Sequence, residues 1–215
     1  MNHKIFLTIA LIALSLAGFS QSKASIGFKT GYDHNYFIHD HLFGDNYSAI
    51  PDFNVGLDAS LHLNDWFRVR AEVKYVNVSS SRYYDTPNSL PENIKYSTLA
   101  INNINVNPYA DFRLFSIKDK LELYYFFGMK VEFSVGDYQR SYTYAGETIK
   151  TSYINDKHKD VMVGSGTGLL FKYNINEHIG ITLSPEGTIF YGEYYEKNKW
   201  HYVRSSVNLG VEWTF

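Results

Sequence analysis

The sequence predicts an all-β fold, an eight-stranded antiparallel up-and-down transmembrane β-barrel, on three observations. Hydrophobicity alternates with period two along almost the whole chain, the signature of strands with two unlike faces. One of those faces is free of charge and the other collects the charged residues of the segments. Connections between segments alternate long and short, as expected when a barrel crosses a membrane with loops at one end and tight turns at the other.

Composition narrows the classes. The 215 residues suit a single domain. Twenty Lys and Arg against 22 Asp and Glu give a net charge of -2, so no broad basic surface is expected and no nucleic acid partner. Cysteine is absent, which excludes disulfides, thiolate metal sites, cysteine nucleophiles and a lipid-modified cysteine. A mean hydropathy of -0.27 excludes a bundle of apolar helices. Against that average stand 19 Tyr, 15 Phe and 3 Trp.

Residues 1–20 read as a secretory signal peptide. One positive charge, Lys4, precedes fifteen uncharged residues over 5–19, too few to span a bilayer and right for a signal h-region. Cleavage fits before Gln21 or, extending the signal to residue 24, before Ser25. The barrel then occupies 25–215.

Its eight segments start near Ile26, Phe53, Phe67, Asn103, Leu121, Val161, Ile179 and Tyr202. In 53–63, Phe53, Val55, Leu57, Ala59, Leu61 and Leu63 alternate with polar residues or glycine. In 67–75, Arg68, Arg70, Glu72 and Lys74 share one face. With the apolar sets outward, sixteen charges point inward: Lys29, Arg68, Arg70, Lys74, Arg113, Lys130, Lys172 and Arg204 against Asp33, Asp58, Glu72, Asp111, Glu122, Glu132, Glu186 and Glu212. A soluble barrel would bury the apolar set instead. Segments of 9 to 13 residues match a tilted membrane-crossing strand, about twice the usual soluble length.

Long connections at 39–49, 78–95 and 136–160 alternate with short ones at 64–65, 116–120 and 174–178. Aromatic residues gather at both segment ends: Trp66, Phe112, Phe115, Tyr173, Trp213 and Phe215 at one, Tyr36, Phe37, Tyr75, Phe133, Tyr191, Tyr194 and Trp200 at the other. Two such girdles suit two headgroup layers. Pro108 and Pro185 fall inside segments, where bulges are expected to absorb the missing donors. The segment holding Pro108 also breaks phase at Asn102-Asn103.

The chain ends Asn208-Leu209-Gly210-Val211-Glu212-Trp213-Thr214-Phe215. Asn208, Gly210, Trp213 and Phe215 resemble the assembly signal of outer-membrane barrels, a polar residue, a glycine and two hydrophobic residues at fixed spacing with an aromatic terminus. Such a strand presents an unpaired edge to an insertion machinery. With Gly27-Phe28-Lys29-Thr30-Gly31-Tyr32 and Gly164-Ser165-Gly166-Thr167-Gly168, the whole mature chain resembles the small outer-membrane β-barrel families of Gram-negative bacteria, the OmpA/OmpX-type barrels and particularly the PorT-like barrel domain. The resemblance implies fold, integral outer-membrane location with periplasmic termini, and assembly by the barrel machinery in contact with outer-membrane lipid. It leaves activity to the loops.

An eight-stranded barrel is just wide enough for side chains to fill it. Tyr109, Tyr124, Phe126 and Phe190 also point inward, so the expected lumen is packed and salt-bridged, its even sign balance a requirement of burial. The alternative is a narrow porin-like channel thinned by Gly164, Gly166, Gly168, Gly180 and Gly210. Loops 38–50, 78–95 and 136–160 are the expected contact surface for an extracellular ligand. In the third, 141–144 and 148–153 alternate around Ala145-Gly146-Glu147, a hairpin beyond the membrane whose tyrosines offer large contact area.

Candidate chemistry is sparse. His39-Asp40-His41, with His34 and Asp45 nearby, lacks a second anchored ligand pair, so no metal is expected. His201 with Ser205, Ser206 and Glu193 invites a hydrolase reading, but His201 and Ser205 stand about 13 Å apart along a strand, beyond hydrogen-bond reach. The reading is therefore a non-enzymatic envelope protein without cofactors, supporting membrane integrity or presenting loops. A channel is second and a lipid-modifying enzyme third.

Overall fold

The computed structural model describes residues 23–39, 47–49, 51–83, 94–144, 147–153, 161–191 and 200–215. The signal-peptide reading of 1–20 lies outside them. Among the described residues ten strands form one antiparallel sheet: β1 (Ala24–His39), β2 (Tyr47–Ala49), β3 (Pro51–His62), β4 (Phe67–Tyr83), β5 (Ile94–Ile117), β6 (Leu121–Tyr144), β7 (Glu147–Tyr153), β8 (Val161–Asn174), β9 (Ile179–Tyr191) and β10 (Trp200–Thr214). Eight of these close on themselves. The order β4-β3-β1-β10-β9-β8-β6-β5 returns from β5 to β4, and β1 pairs β10 from Ser25↔Thr214 to His39↔Trp200. The chain thus folds as an eight-stranded antiparallel barrel, with β2 and β7 as additions at the rim.

Closure is built from period two. Outward positions such as Ile26, Phe28, Leu57, Val73, Phe127, Met129, Leu183 and Leu209 are exposed, while Lys29, Arg68, Glu72, Lys130 and Glu186 between them are buried. Burying charge and exposing leucine inverts the soluble arrangement and fits a wall that faces lipid.

The short turns gather at the end of the barrel where β1 begins and β10 ends. There the Phe215 N–H donates to the Ala24 carbonyl and the Thr214 N–H to the His178 carbonyl. Two turns are chemically the same. Asn64 Oδ1 accepts from the Trp66 and Phe67 N–H groups, and Asn176 Oδ1 accepts from those of His178 and Ile179. Each asparagine substitutes for a strand partner where the chain reverses. The third turn puts Lys118 and Asp119 at φ of 50° and 53°, and Lys120 N–H bonds the Ile117 carbonyl at 3.0 Å. Two left-handed residues match the right-handed twist of the flanking strands.

The opposite end corrects the expected boundaries. β4 continues to Tyr83 and β5 begins at Ile94, so the second long loop is shorter than 78–95. Both β5 and β6 have 24 residues, more than twice the ~9–11 that span a bilayer. β6 and β7 form the hairpin, paired from Tyr138↔Tyr153 to Tyr144↔Glu147.

The prolines also depart from expectation. Register shifts between β5 and β6 occur at 94/96, 100/102 and 113/115, and none falls at Pro108. Ladder pairs on both sides of Pro185 keep one register with β8. Both rings face outward, and each proline carbonyl faces a glycine on the next strand: a Cβ on Gly128 would collide with the Pro108 carbonyl, and one on Gly168 with that of Pro185. Each ladder carries its proline without an inserted residue. The phase break at Asn102-Asn103 is no reversal either. Ile101, Asn103, Asn105 and Asn107 are all buried on the inner side, so an apolar Ile101 in the lumen mimics a break.

Candidate functional site

The lumen concentrates the polar chemistry of the described residues, and it divides by height. At the turn end, Arg68 Nε donates to Asp111 Oδ2 at 2.8 Å, and its Nη1 reaches both Glu212 oxygens at 3.1 and 3.2 Å. Arg70 donates to both Asp111 oxygens at 2.9 and 3.1 Å. Lys172 Nζ meets Glu212 at 2.5 Å, and Arg113 lies 3.8 Å from Glu122 at the half-open rim. The guanidinium groups stack on rings too, Arg68 4.4 Å from the Tyr124 centroid and Arg70 4.2 Å from that of Tyr109. Such contacts strengthen as water is excluded.

In the middle, Lys29 bridges Asp58 and Glu72, both at 3.4 Å. Lys74 reaches Glu72 at 3.5 Å and Glu186 at 4.0 Å. Lys130 meets Glu186 at 2.6 Å, Tyr109 OH donates to the same carboxylate at 2.8 Å, and Lys130 Nζ donates to Tyr109 OH. Beside them Tyr109, Tyr124, Phe126 and Leu170 form a buried apolar cluster.

Toward the loop end Arg204 donates to Glu132 at 2.6 Å and to Asn35 Oδ1 at 2.9 Å. Amides supply further donors there. Asn103 donates to Glu132, Asn54 to Asp33 and Asn35 to Asp52. Asp52 was not among the sixteen charges expected inside, because the apolar alternation starts only at Phe53. It is buried, so among the residues whose side chains are described nine carboxylates and eight cations face inward.

The glycines named for a channel meet occupied space. A Cβ on Gly166 would lie 2.6 Å from Glu186 Oε1 and 2.7 Å from Lys130 Cε, and one on Gly168 2.7 Å from Phe126 Cζ. Likewise Gly180 and Gly210 face the Lys172 and Lys29 stems at 2.8 Å, and Gly164 faces Phe190. These glycines make room for large inward neighbours, which the strand pattern alone does not reveal.

Of the candidate metal residues, His34 is on β1 and His39 ends it, while Asp40, His41 and Asp45 lie outside the described residues. Of the hydrolase set, Glu193 lies outside them, Ser206 is buried and Ser205 faces outward. Register brings His34, not His201, opposite Ser205; the structure records no hydrogen bond between the two. The C-terminal residues Asn208, Gly210, Trp213 and Phe215 sit on β10 or just beyond it. Asn208 and Gly210 face inward, and Trp213 and Phe215 outward, with Trp213 stacked on His178 at 5.9 Å. At the same rim Trp66, Phe67 and Phe112 stack at 5.0 to 6.0 Å, while Tyr36, Tyr75, Phe133 and Tyr191 are exposed at the other. Tyr194 is outside the described residues.

Comparison with known proteins agrees with this geometry. Among solved structures, the outer membrane protein OprG from Pseudomonas aeruginosa superposes with a TM-score of 0.55 at 14% identity, covering 90% of this chain and 95% of its own. A major outer membrane protein from Thermus thermophilus gives 0.54 at 11% identity, covering 90% and 99%. At these identities the likeness is one of fold. A search of curated proteins gives no match. The model of the outer membrane protein beta-barrel domain matches residues 6–215. Nearly the whole sequence, and the charged interior inside an apolar wall that it folds into, thus belong to the outer membrane protein beta-barrel domain family.

Proposed function

We propose that this chain is a non-enzymatic outer-membrane protein whose barrel is a plugged scaffold, supporting envelope integrity or presenting its long loops to an extracellular partner. The observation that carries this reading is the set of bridging cations in the lumen. Arg68, Arg70, Lys29, Lys74 and Lys130 each contact at least two partners on other strands or on their own, so opening a path would strand several charges at once. Ser205 points outward on the wall, away from the buried carboxylates, which supports a role without chemistry. The three tight turns beside the start of β1 and the end of β10 support placing that end in the periplasm, since such barrels keep their short turns there. Residues 1–20 act as the export signal in this reading, and Asn208, Gly210, Trp213 and Phe215 as the assembly signal.

Planar-bilayer recording of the refolded protein tests it. The expected result is a quiet bilayer at protein levels that give steady currents with a general porin. Stable unit openings would instead support the narrow channel.

A further inference from the structure

The β5–β6 turn differs from the other two at its end of the barrel. β5 leaves its ladder with β4 at Phe112↔Phe67, where the Arg113 N–H still reaches the Trp66 carbonyl, but it stays paired with β6 as far as Ile117↔Leu121. Residues 114–117 therefore overhang the β3–β4 turn, by about 13 Å at the strand rise. A register shift between Arg113 and Phe115 lies at the root of this overhang, and Leu114, Phe115 and Ile117 on it are 57%, 44% and 53% exposed. Large apolar residues held out together at a hairpin tip suit an interfacial lipid layer.

Charge sets the same tip apart. Lys118 and Lys120 flank Asp119, and all three are exposed. Among the described residues neither ammonium has an ion pair or a hydrogen bond, and residues 1–22 contain no acid to supply one. Two lysines against one aspartate leave the tip at a net charge of +1. The two asparagine turns carry one acid each, Asp65 and Glu177, and neither Lys nor Arg.

We infer that the β5–β6 tip binds the headgroups of acidic phospholipids in the periplasmic leaflet, with Leu114, Phe115 and Ile117 against the acyl chains and Lys118 and Lys120 on the phosphates. The leaflet rests on the proposed periplasmic placement of the turn end; the headgroup class rests on the tip alone. Going outward along the hairpin, the apolar residues come first and the ammonium groups last, the order in which a phospholipid presents its chains and its phosphate. A soluble anion would match the lysines and leave the apolar residues without a partner. Lysine stems lie along apolar surface while their ammonium groups stay at headgroup level, where anionic lipid attracts them.

The test places the refolded mature barrel in nanodiscs of equal phosphatidylglycerol and phosphatidylcholine with the same acyl chains, and native mass spectrometry counts the lipids the barrel retains. The parent is expected to prefer phosphatidylglycerol about fivefold, the ratio that one net positive charge beside an anionic surface supports. Lys118→Gln/Lys120→Gln should remove the preference, and Asp119→Asn should raise it. Lys23→Gln, exposed at the start of β1, should behave as the parent does, and heat-modifiable gel mobility reports whether each variant is folded. Equal retention of the two lipids by the parent overturns the proposal, as does an undiminished preference in the folded double variant. The parent's count stands as a test even if a variant fails to fold. Both faces of a nanodisc carry the same lipids, so the count is independent of which way the barrel faces. Labelling of Ser116→Cys on intact cells by an impermeant maleimide, in a chain with no other cysteine, would overturn the periplasmic placement and with it the leaflet, separately from the headgroup class.

Discussion

The two ends of the lumen solve the same problem differently. At the turn end four cations, Arg68, Arg70, Arg113 and Lys172, face three anions, Asp111, Glu122 and Glu212; toward the loop end, among the residues whose side chains are described, Arg204 accompanies Asp33, Asp52 and Glu132. The leftover groups differ in kind as well. Among the described residues the buried side-chain atoms without partners at the turn end are nitrogens, Arg68 Nη2 and His62 Nε2, whereas from the middle to the loop end they are oxygens of Asp58, Asn107, Asn105, Asn103, Asn54 and Asp33. Charge pairing in a buried site needs nearly complete partners to offset desolvation. The turn end meets that demand with guanidinium forks, and the loop end with amides that hold the carboxylates but do not neutralise them.

That contrast can be broken from either side. The largest effect is expected for Arg68→Met, which leaves Asp111 and Glu212 buried with fewer partners and should cost about 3–5 kcal/mol, read as the shift in urea unfolding of the refolded barrel. Arg204→Met should cost less, about 1–3 kcal/mol in the same assay, because the amide of Asn103 still holds Glu132. Asp33→Asn should do the opposite and stabilise the barrel by about 0.2–1 kcal/mol in the same assay, since it removes one of two like charges in register. A destabilised Asp33→Asn barrel would mean that the Asp33 carboxylate is compensated by more than the Asn54 amide.

The alternation was legible because a barrel wall sorts side chains strictly by parity. Arg68, Arg70, Glu72 and Lys74 share a face whatever surrounds them, since successive strand residues point to opposite sides. Asp52 was not legible, because the apolar alternation that defines inside begins one residue later and backbone pairing extends the strand beyond it. Ile101 misled for the related reason that a lumen also accepts apolar residues; Val76, Val78 and Met162 are buried near the same end. The expected bulges at Pro108 and Pro185 are absent, because register with the next strand runs unbroken past each ring.

By itself the sequence determined the class of fold, the inward and outward faces, and the end at which the tight turns lie. Those properties are local, carried by the period of the strand and by turn residues such as Asn64 and Asn176. Only the tertiary structure decided which charges meet, since Arg68 and Glu212 are 144 residues apart and are joined by closure of the sheet. It also decided that Asp33 and Asp52 stand opposite one another, because that depends on the register of β1 against β3. Parity assigns a side chain to a face, and register alone assigns it a neighbour.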